Sequence, residues 1–414
     1  MICRASDITS EEERGVAGSC PWHSFEVTYD YLIIAVGAVP NTFGVPGVQE
    51  HAMFFKEATH ADKFRREVTE RFERAALPGT PLQRVKETLT FIIVGGGPTG
   101  VELAAELYDF VREDISKIYP SYLQKLVSIK IIDLMDFILS TYDRRIAEYA
   151  TAEFQRNEID LLLNKQVTAV KDGILCLKDR KTEEEQLLPF GLCVWATGIG
   201  LNPLCQSLIA SLPEGSQDNI RSLKVDKYLR VLGSNGTIFA VGDCATVVRP
   251  KSFARAEELF LEGGSRIDRK IGKLELQAIL RKGAEEFSHL EEFANKLDTD
   301  FETQFAGEDE GLTFEEFKQM LIKVDSGLRS FPATAQVAKQ EGEYLASLFD
   351  ASNGDSNALS FGETERSFRY EHKGSLAYIG RDSGVADIPG FAGKDFFRSF
   401  LREIHFCLQY YLLV

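Results

Sequence analysis

Residues 91–107 read FIIVGGGPTGVELAAEL, and they put glycine where backbone rather than side chain would do the chemistry. Gly95, Gly97 and Gly100 satisfy G-x-G-x-x-G between an apolar, strand-like run and an apolar-periodic, helix-like one. In that setting the first glycine makes a tight turn and the second lets backbone approach a pyrophosphate. The third lets the helix pack close to the sheet. The helix N-terminus then offers its unpaired N–H groups to the anion. An acid ending the next strand completes the pattern by accepting from a ribose hydroxyl. Asp133, at the end of IKIID, takes that role. It lies beyond the usual interval of about 20 residues because a long helical run intervenes. A carboxylate there repels a 2′-phosphate, which selects NAD(H) over NADP(H). A second strand-like run, in FAVGDCAT, ends at Gly242-Asp243. It sets a carboxylate at the carboxyl end of a sheet, where open α/β folds bind ligands. Taken alone, Asp133 and Asp243 each also read as ordinary turn acids after a strand, and the glycines as a plain turn.

The elements that must position these residues follow from periodicity. FEVTYDYLIIAV, residues 25–36, alternates and then becomes solidly apolar, as a strand entering a buried parallel sheet does. Residues 54–76 and 143–157 are expected to be helices, and 90–94 and 127–133 strands. Short strands are expected within 159–178, and LLPFGLCVWATGIGLNP holds another that ends near Gly198. Strands alternating with helices imply parallel α/β sheets. From 252 to 330 the chain turns acidic and helical, without β-patterning. FPATAQVAKQEGEYLASLF reads as a helix with proline near its start. FRYEHKGSLAYIG reads as a hairpin, and FFRSFLREIHFCLQYYLLV as an aromatic, amphipathic end.

Composition removes several function classes. The net charge of −16 over 414 residues, with no basic patch, argues against a nucleic-acid partner. The seven cysteines are scattered, and none forms C-x-x-C or C-x-x-x-x-C. A disulfide framework or a zinc site is therefore not expected. No run of 18 apolar residues is present, and MICRASDITSEEERG has no apolar signal core.

Together, YDYLIIAVGAVPNTFGVPG, VGGGPTGVELAAEL, VWATGIGLNP, GDCAT and FPATAQVAKQEG resemble, in order, the two-dinucleotide-binding-domain flavoproteins. Within them the resemblance is to the type II NADH:quinone oxidoreductases, the alternative NADH dehydrogenases of external type. It covers about residues 25–250 and 330–385. It implies an α/β fold of parallel Rossmann-like sheets, FAD and NADH as cofactors, and a quinone as acceptor. In that family the FAD glycine loop stands upstream of the segment matching YDYLIIAVGA, and here it is missing. The single glycine loop is then the NADH loop. The expectation is an N-terminally truncated chain that by itself holds little FAD. The resemblance assigns Gly198, Gly242, Asp243 and Ala335 to cofactor binding beside Gly95, Gly97, Gly100 and Asp133. It puts Glu102 near the flavin ring, and Gln336, Gln340 and Lys373 at a quinone pocket. Read from spacing alone, Gln336 and Gln340 share one helix face that could simply be solvated.

The same resemblance places an EF-hand-like insertion at 252–330. DEGLTFEEF imitates the end of a calcium loop, with Asp309 and Glu316 as weak ligand candidates. Counting back from Glu316 puts Phe305 at position 1 and Glu310 where glycine is needed. The earlier half has Gly272 but puts Ala278 at position 12. No metal site is expected. The family implies a peripheral protein of the mitochondrial inner membrane, on its intermembrane-space face, that can form homodimers. The expected organisation is a partial FAD-binding domain at 1–87, the NADH domain at 88–200 and a return to the FAD domain at 201–251. The insertion follows at 252–330, then the quinone-site helix, hairpin and membrane-associated end at 331–414. An apoptosis-inducing-factor-like NADH flavoprotein, or a non-catalytic NADH-binding fragment, are the alternatives.

Overall fold

The structure, a computed structural model, describes residues 3–4, 26–262, 267, 269–284, 286–287, 289–291, 293–294, 311–328, 330–351, 367–381 and 383–388. Asp309 and the aromatic end at 396–414 lie outside them. The strands used below are β1 (Leu32–Ile34), β2 (Met53–Phe54), β3 (Thr90–Val94), β4 (Ser128–Ile132), β5 (Ile159–Leu162), β6 (Leu192–Trp195), β7 (Ile238–Ala240), β8 (Ser375–Gly380) and β9 (Ser383–Asp387). The helices are α1 (Ala58–Ala75), α2 (Pro98–Phe110), α3 (Arg144–Arg156), α4 (Ala256–Glu262), α5 (Lys273–Gly283), α6 (Phe314–Ser326) and α7 (Ala335–Ala351).

Two compact units are formed, one from 40–199 and 372–414, the other from 1–39 and 200–371. The first holds a five-stranded parallel sheet in the order β2-β6-β3-β4-β5. All five residues of β3 are buried, as a central strand covered on both faces requires. Helix α1 presents Phe64, Val68, Phe72 and Ala75 to this sheet, at the four- and three-residue steps of one helical face. Phe72 stacks with Phe91 of β3 at 6.4 Å between ring centroids. Each such fully buried ring contributes about 2–3 kcal/mol. Strands 165–171, 174–179 and 185–189 add a three-stranded antiparallel sheet.

The boundary expected at 87 therefore falls at 39–40. Residues 53–54 pair with β6, far along the chain, and α1 joins the same core, so the segment 40–87 belongs to the dinucleotide unit. The hairpin also differs from expectation. Residues 367–374 are irregular, and the two arms are β8 and β9, antiparallel. They lie in this unit, where β8 packs against α2.

The second unit pairs β1 with β7 in parallel and buries Phe239 against Tyr31 and Phe349. Its helical part has a core of its own around Phe260, Phe287 and Phe317, drawn from α4, α5, α6 and their connections. There Ile271 and Leu312 form an isolated antiparallel bridge, each donating its N–H to the other's carbonyl at 2.8 and 2.9 Å. If the two loops pair at equivalent positions, Glu275 and Glu316 correspond. That replaces Ala278, expected from the spacing, with Glu275. Both glutamates cap helices: Glu275 accepts from Gly272 N–H, and Glu316 from the Thr313 N–H and hydroxyl. Arg269 also donates to Glu275. Among the described residues no cluster of three His, Cys, Asp or Glu side chains could hold a metal.

Candidate functional site

In the dinucleotide unit, β3 runs into the glycine loop and α2 leaves it. Gly95 sits at φ 119°, and a Cβ there would meet the Ala196 carbonyl at 2.8 Å. A Cβ on Gly100 would lie 1.9 Å from the Gly95 carbonyl oxygen. The same atom on Gly97 would meet nothing within 4 Å. Gly95 and Gly100 are thus required by the protein itself, whereas Gly97 faces open space from which a ligand can approach the backbone. Gly97 is the N-cap of α2 and supplies no side-chain cap, and Pro98 follows it. The first-turn N–H groups stay available to an anion, and the helix dipole favours negative charge there.

Asp133 stands one residue past β4. Its Oδ2 accepts the Gly96 N–H at 2.5 Å and its Oδ1 the Met135 N–H at 2.7 Å. The carboxylate thereby ties the loop to the neighbouring strand. A carboxylate has about four lone-pair sites, so acceptor capacity remains for a ribose hydroxyl. Gly198, past β6, sits at φ 76° and its carbonyl accepts the Asn41 N–H at 3.2 Å. Phe43 packs so closely that a Cβ on Gly198 would lie 2.4 Å from its ring. Glu102 lies on α2, and its Oε1 accepts the Tyr378 N–H of β8 at 3.2 Å. Burial pushes its carboxyl above the usual range, with that hydrogen bond working the other way. Glu102 also raises the Tyr142 phenol, which burial first of all pushes to about 12. Lys373 is exposed in this unit.

The second unit gathers Gly242, Asp243, Ala335, Gln336 and Gln340. Strand β7 leads into a single 3₁₀ turn, Gly242–Cys244, with Gly242 at φ 71°. Only Ala338 approaches a Cβ built there, at an ordinary 3.5 Å, so backbone conformation rather than space demands glycine. Asp243 is half-buried on the turn. Ala335 is the first residue of α7, whose opening turn Thr334 caps through its carbonyl and hydroxyl. Gln340 holds Glu371 from both sides: its Nε2 donates to the Glu371 carbonyl and its Oε1 accepts the Glu371 N–H, each at 2.9 Å. Tyr370 donates its hydroxyl to Gln336 Oε1 at 2.8 Å. The two glutamines therefore do share a face, and both staple residues 370–371 to α7.

Sequence reasoning missed two features. Cys205 and Cys244 are remote in sequence but within hydrogen-bonding contact, 0% and 1% exposed. Their mutual hydrogen bond and burial push the Cys205 thiol up. The other is Glu341. It is 2% exposed, and its Oε2 accepts the Gly242 N–H at 2.6 Å. A signal for it was present: Val337, Glu341, Leu345 and Leu348 recur at helical spacing, and the other three are buried apolar residues. A charge on that stripe must have a partner.

As a whole, the chain is similar to several known proteins. Residues 5–258 match the family model described as pyridine nucleotide-disulphide oxidoreductase. The chain is 38% identical over 378 residues to the external alternative NAD(P)H-ubiquinone oxidoreductase B4 of Arabidopsis thaliana, covering 88% of this chain and 64% of that one. It is 30% identical to the external alternative NADH-ubiquinone oxidoreductase of Yarrowia lipolytica, covering 88% of this chain and 54% of that one. Its fold matches NDH2 from Plasmodium falciparum, solved in complex with NADH, at a TM-score of 0.76 and 30% identity. That match covers 93% of this chain and 75% of the other. The chain spans less than two thirds of the length of the curated relatives that it matches. It belongs to the pyridine nucleotide-disulphide oxidoreductase family, on the branch of the type II NADH:quinone oxidoreductases.

Proposed function

We propose that this chain carries the NADH-binding unit and part of the flavin-binding unit of a non-electrogenic, FAD-dependent NADH:ubiquinone oxidoreductase. The observation that carries the reading is the glycine loop. Gly95 and Gly100 are obligatory for packing, Gly97 is open, the α2 N-terminus has no side-chain cap, and Asp133 stands beside it. NADH binds there, its pyrophosphate over Gly97 and its adenine ribose near Asp133, with Gly198 lining the same unit. The Gly242–Asp243 turn and the N-terminus of α7 at Ala335 hold the flavin. Gly242 with its positive φ, and the positive end of a long helix, fit a ribityl chain and a reduced isoalloxazine edge. FAD bound there would supply hydride acceptance from NADH and two-electron delivery to the quinone. The chain's own work is positioning. Gln336 and Gln340 order residues 370–371 beside α7, at the expected quinone pocket, and Glu102 and Lys373 are assigned to the same reaction.

Among the described residues no helix is long and apolar enough to cross a membrane. The named relatives are mitochondrial, which supports a peripheral protein of the mitochondrial inner membrane. The intermembrane-space face and a homodimer are the finer parts of this reading. The purified chain should bind NADH in Gly97-dependent fashion, measured by fluorescence quenching. NADH binding that is unchanged in Gly97→Val would refute the assignment of the loop.

A further inference from the structure

The Gly242–Cys244 turn is gripped from another element. Glu341 reaches from α7, is almost wholly excluded from solvent, and takes the Gly242 N–H on Oε2 at 2.6 Å. The grip is directional. Gly242 sits in the left-handed region, and Ala338, one turn earlier on α7, packs against the same residue. The buried carboxyl therefore fixes both where the turn lies and which way its next residue, Asp243, leaves it.

A carboxyl in this position resists ionisation. Burial raises its affinity for a proton, to a titration point of about 7, and the single backbone donor only partly offsets that. The ionisable groups that act on it are Cys244 and Asp243, both on the turn itself, and both favour the protonated form.

We propose that Glu341 is a positioning residue of the flavin-binding turn, which holds Gly242 and aims Asp243, and that it carries the proton exchanged when charge changes beside that turn. The inference rests on the reading of Asp243 as a flavin contact. Added negative charge near Asp243 favours protonated Glu341, whose remaining carbonyl oxygen still accepts the Gly242 N–H. The turn thus keeps its geometry while its charge rises by one unit. The proposed reaction needs such an exchange: NADH, one proton from water and quinone give NAD⁺ and quinol.

Three forms of the chain separate the positioning from the proton: native at 341, Glu341→Gln and Glu341→Ala. Each also carries Cys244→Ser, because the Cys244 thiol on the same turn is lowered to about 7 by its hydrogen bond with Cys205. Glutamine keeps an oxygen acceptor for Gly242 and cannot titrate; alanine loses both. The first measurement is the Gly242 amide resonance against pH. It should shift with a midpoint near 7 in the native chain, and stay flat in both variants. Its hydrogen exchange should be slow in the native chain and Glu341→Gln, and about tenfold or more faster in Glu341→Ala. The second is FAD affinity by fluorescence quenching. It should weaken several-fold as pH rises through 7 in the native chain, be pH-independent in Glu341→Gln, and be lowest in Glu341→Ala. A native Gly242 amide that ignores pH, or a Glu341→Gln amide that still titrates, overturns the inference and leaves the proposed activity untouched. A titrating amide with no variant altering FAD affinity overturns the flavin assignment of the turn, and the positioning role falls with it.

Discussion

The two glycine turns of this molecule are held in opposite ways. The Gly95–Gly100 loop is enforced by its immediate surroundings: a Cβ at Gly100 would drive into the Gly95 carbonyl, and one at Gly95 into Ala196 and Thr197. The Gly242 turn meets no such crowding and is held by hydrogen bonds, the one to Gly242 itself from a buried carboxyl on α7. A turn built by close packing is rigid but insensitive to solution conditions. A turn held by a titratable side chain has a geometry and a charge that can be changed by one proton. The first suits a site that must always accept the same pyrophosphate; the second suits a site whose ligand changes charge.

The largest effect expected is at the crowded turn. Gly100→Ala should destabilise the dinucleotide unit by about 3 kcal/mol or more, because the clash is with backbone and neither strand nor helix can give way cheaply. Chemical denaturation followed by fluorescence would measure it. Gly97→Ala has open space at its Cβ and an ordinary extended-to-helix φ, so it should leave stability within about 0.5 kcal/mol. Its effect should fall on NADH affinity alone, about tenfold or more. If the two substitutions cost the same stability, the distinction between structural and ligand-facing glycines is wrong.

The next effect is at the other turn, and its sign follows from the raised carboxyl. Between 4.5, its ordinary value, and about 7, the folded chain keeps a proton on Glu341 that the unfolded chain has lost. Stability from this group is therefore full at low pH and declines as pH rises through that window, by up to about 3 kcal/mol. Glu341→Gln should remove that slope and leave the slopes of other groups in place. Thermal unfolding of both forms across this range tests it, and parallel curves would show that Glu341 does not titrate there.

How far each turn was legible in the sequence follows the same division. The loop at Gly95 was readable because its causes are local: an apolar run, glycines at fixed offsets and a helix that follows directly. Asp133 was readable because it ends the adjacent strand. Glu341 was not read, although it stands on an apolar stripe, because its partner is a backbone N–H brought in by tertiary folding. The unit boundary at 39–40 was missed for the same reason, since β2 is only two residues long and is fixed by β6. The Cys205–Cys244 contact obeys no spacing rule, because a strand end and a separate helix meet there. The expected hairpin was displaced because 367–374 spends its polar groups on α7 and on Lys227, through Gln336, Gln340 and the Phe368 N–H, rather than on a second strand.

A smaller effect sharpens the comparison at the nucleotide. Asp133→Asn keeps one oxygen acceptor and removes the charge that disfavours a 2′-phosphate. The preference for NADH over NADPH should narrow by about tenfold, roughly 1.4 kcal/mol. Affinities for both nucleotides, measured by quenching on the same sample, decide it. Equal affinities in the native chain would remove Asp133 from the ribose.

Smaller again is the glutamine pair. Gln340→Ala deletes two hydrogen bonds to Glu371, each contributing about 0.5–1.5 kcal/mol and nearer the low end at an exposed site. Gln336→Ala removes the acceptor of Tyr370. Both should loosen residues 370–371 and slow quinone reduction several-fold, while reduction of the flavin by NADH is unchanged. Rapid mixing separates the two halves of the reaction. Slowing of the NADH half alone would place these residues elsewhere in the cycle.

The smallest effect expected is that of calcium on the helical part. The bridge between Ile271 and Leu312 pairs its two loops, yet the carboxylates aligned by that pairing are already engaged. Glu316 closes a capping box with Thr313, and those hydrogen bonds hold its carboxyl below the usual range. Glu275 caps α5 and pairs with Arg269, a cation on the loop itself. At the other end of α6, Asp325 is buried and already accepts from Ser252, Phe253 and His289. A calcium ion would have to displace a guanidinium and break two helix caps, and the sequence places Phe305 and Gly307 where further oxygen ligands are needed. Millimolar calcium against a chelator should therefore move the unfolding midpoint by less than about 1 °C, since a ligand stabilises only in proportion to its occupancy of the folded state. Arg269→Ala should not by itself create calcium sensitivity, because it empties one position without supplying an oxygen. A calcium-dependent rise in the midpoint of the native chain would mean that ligands outside these pairings complete a site.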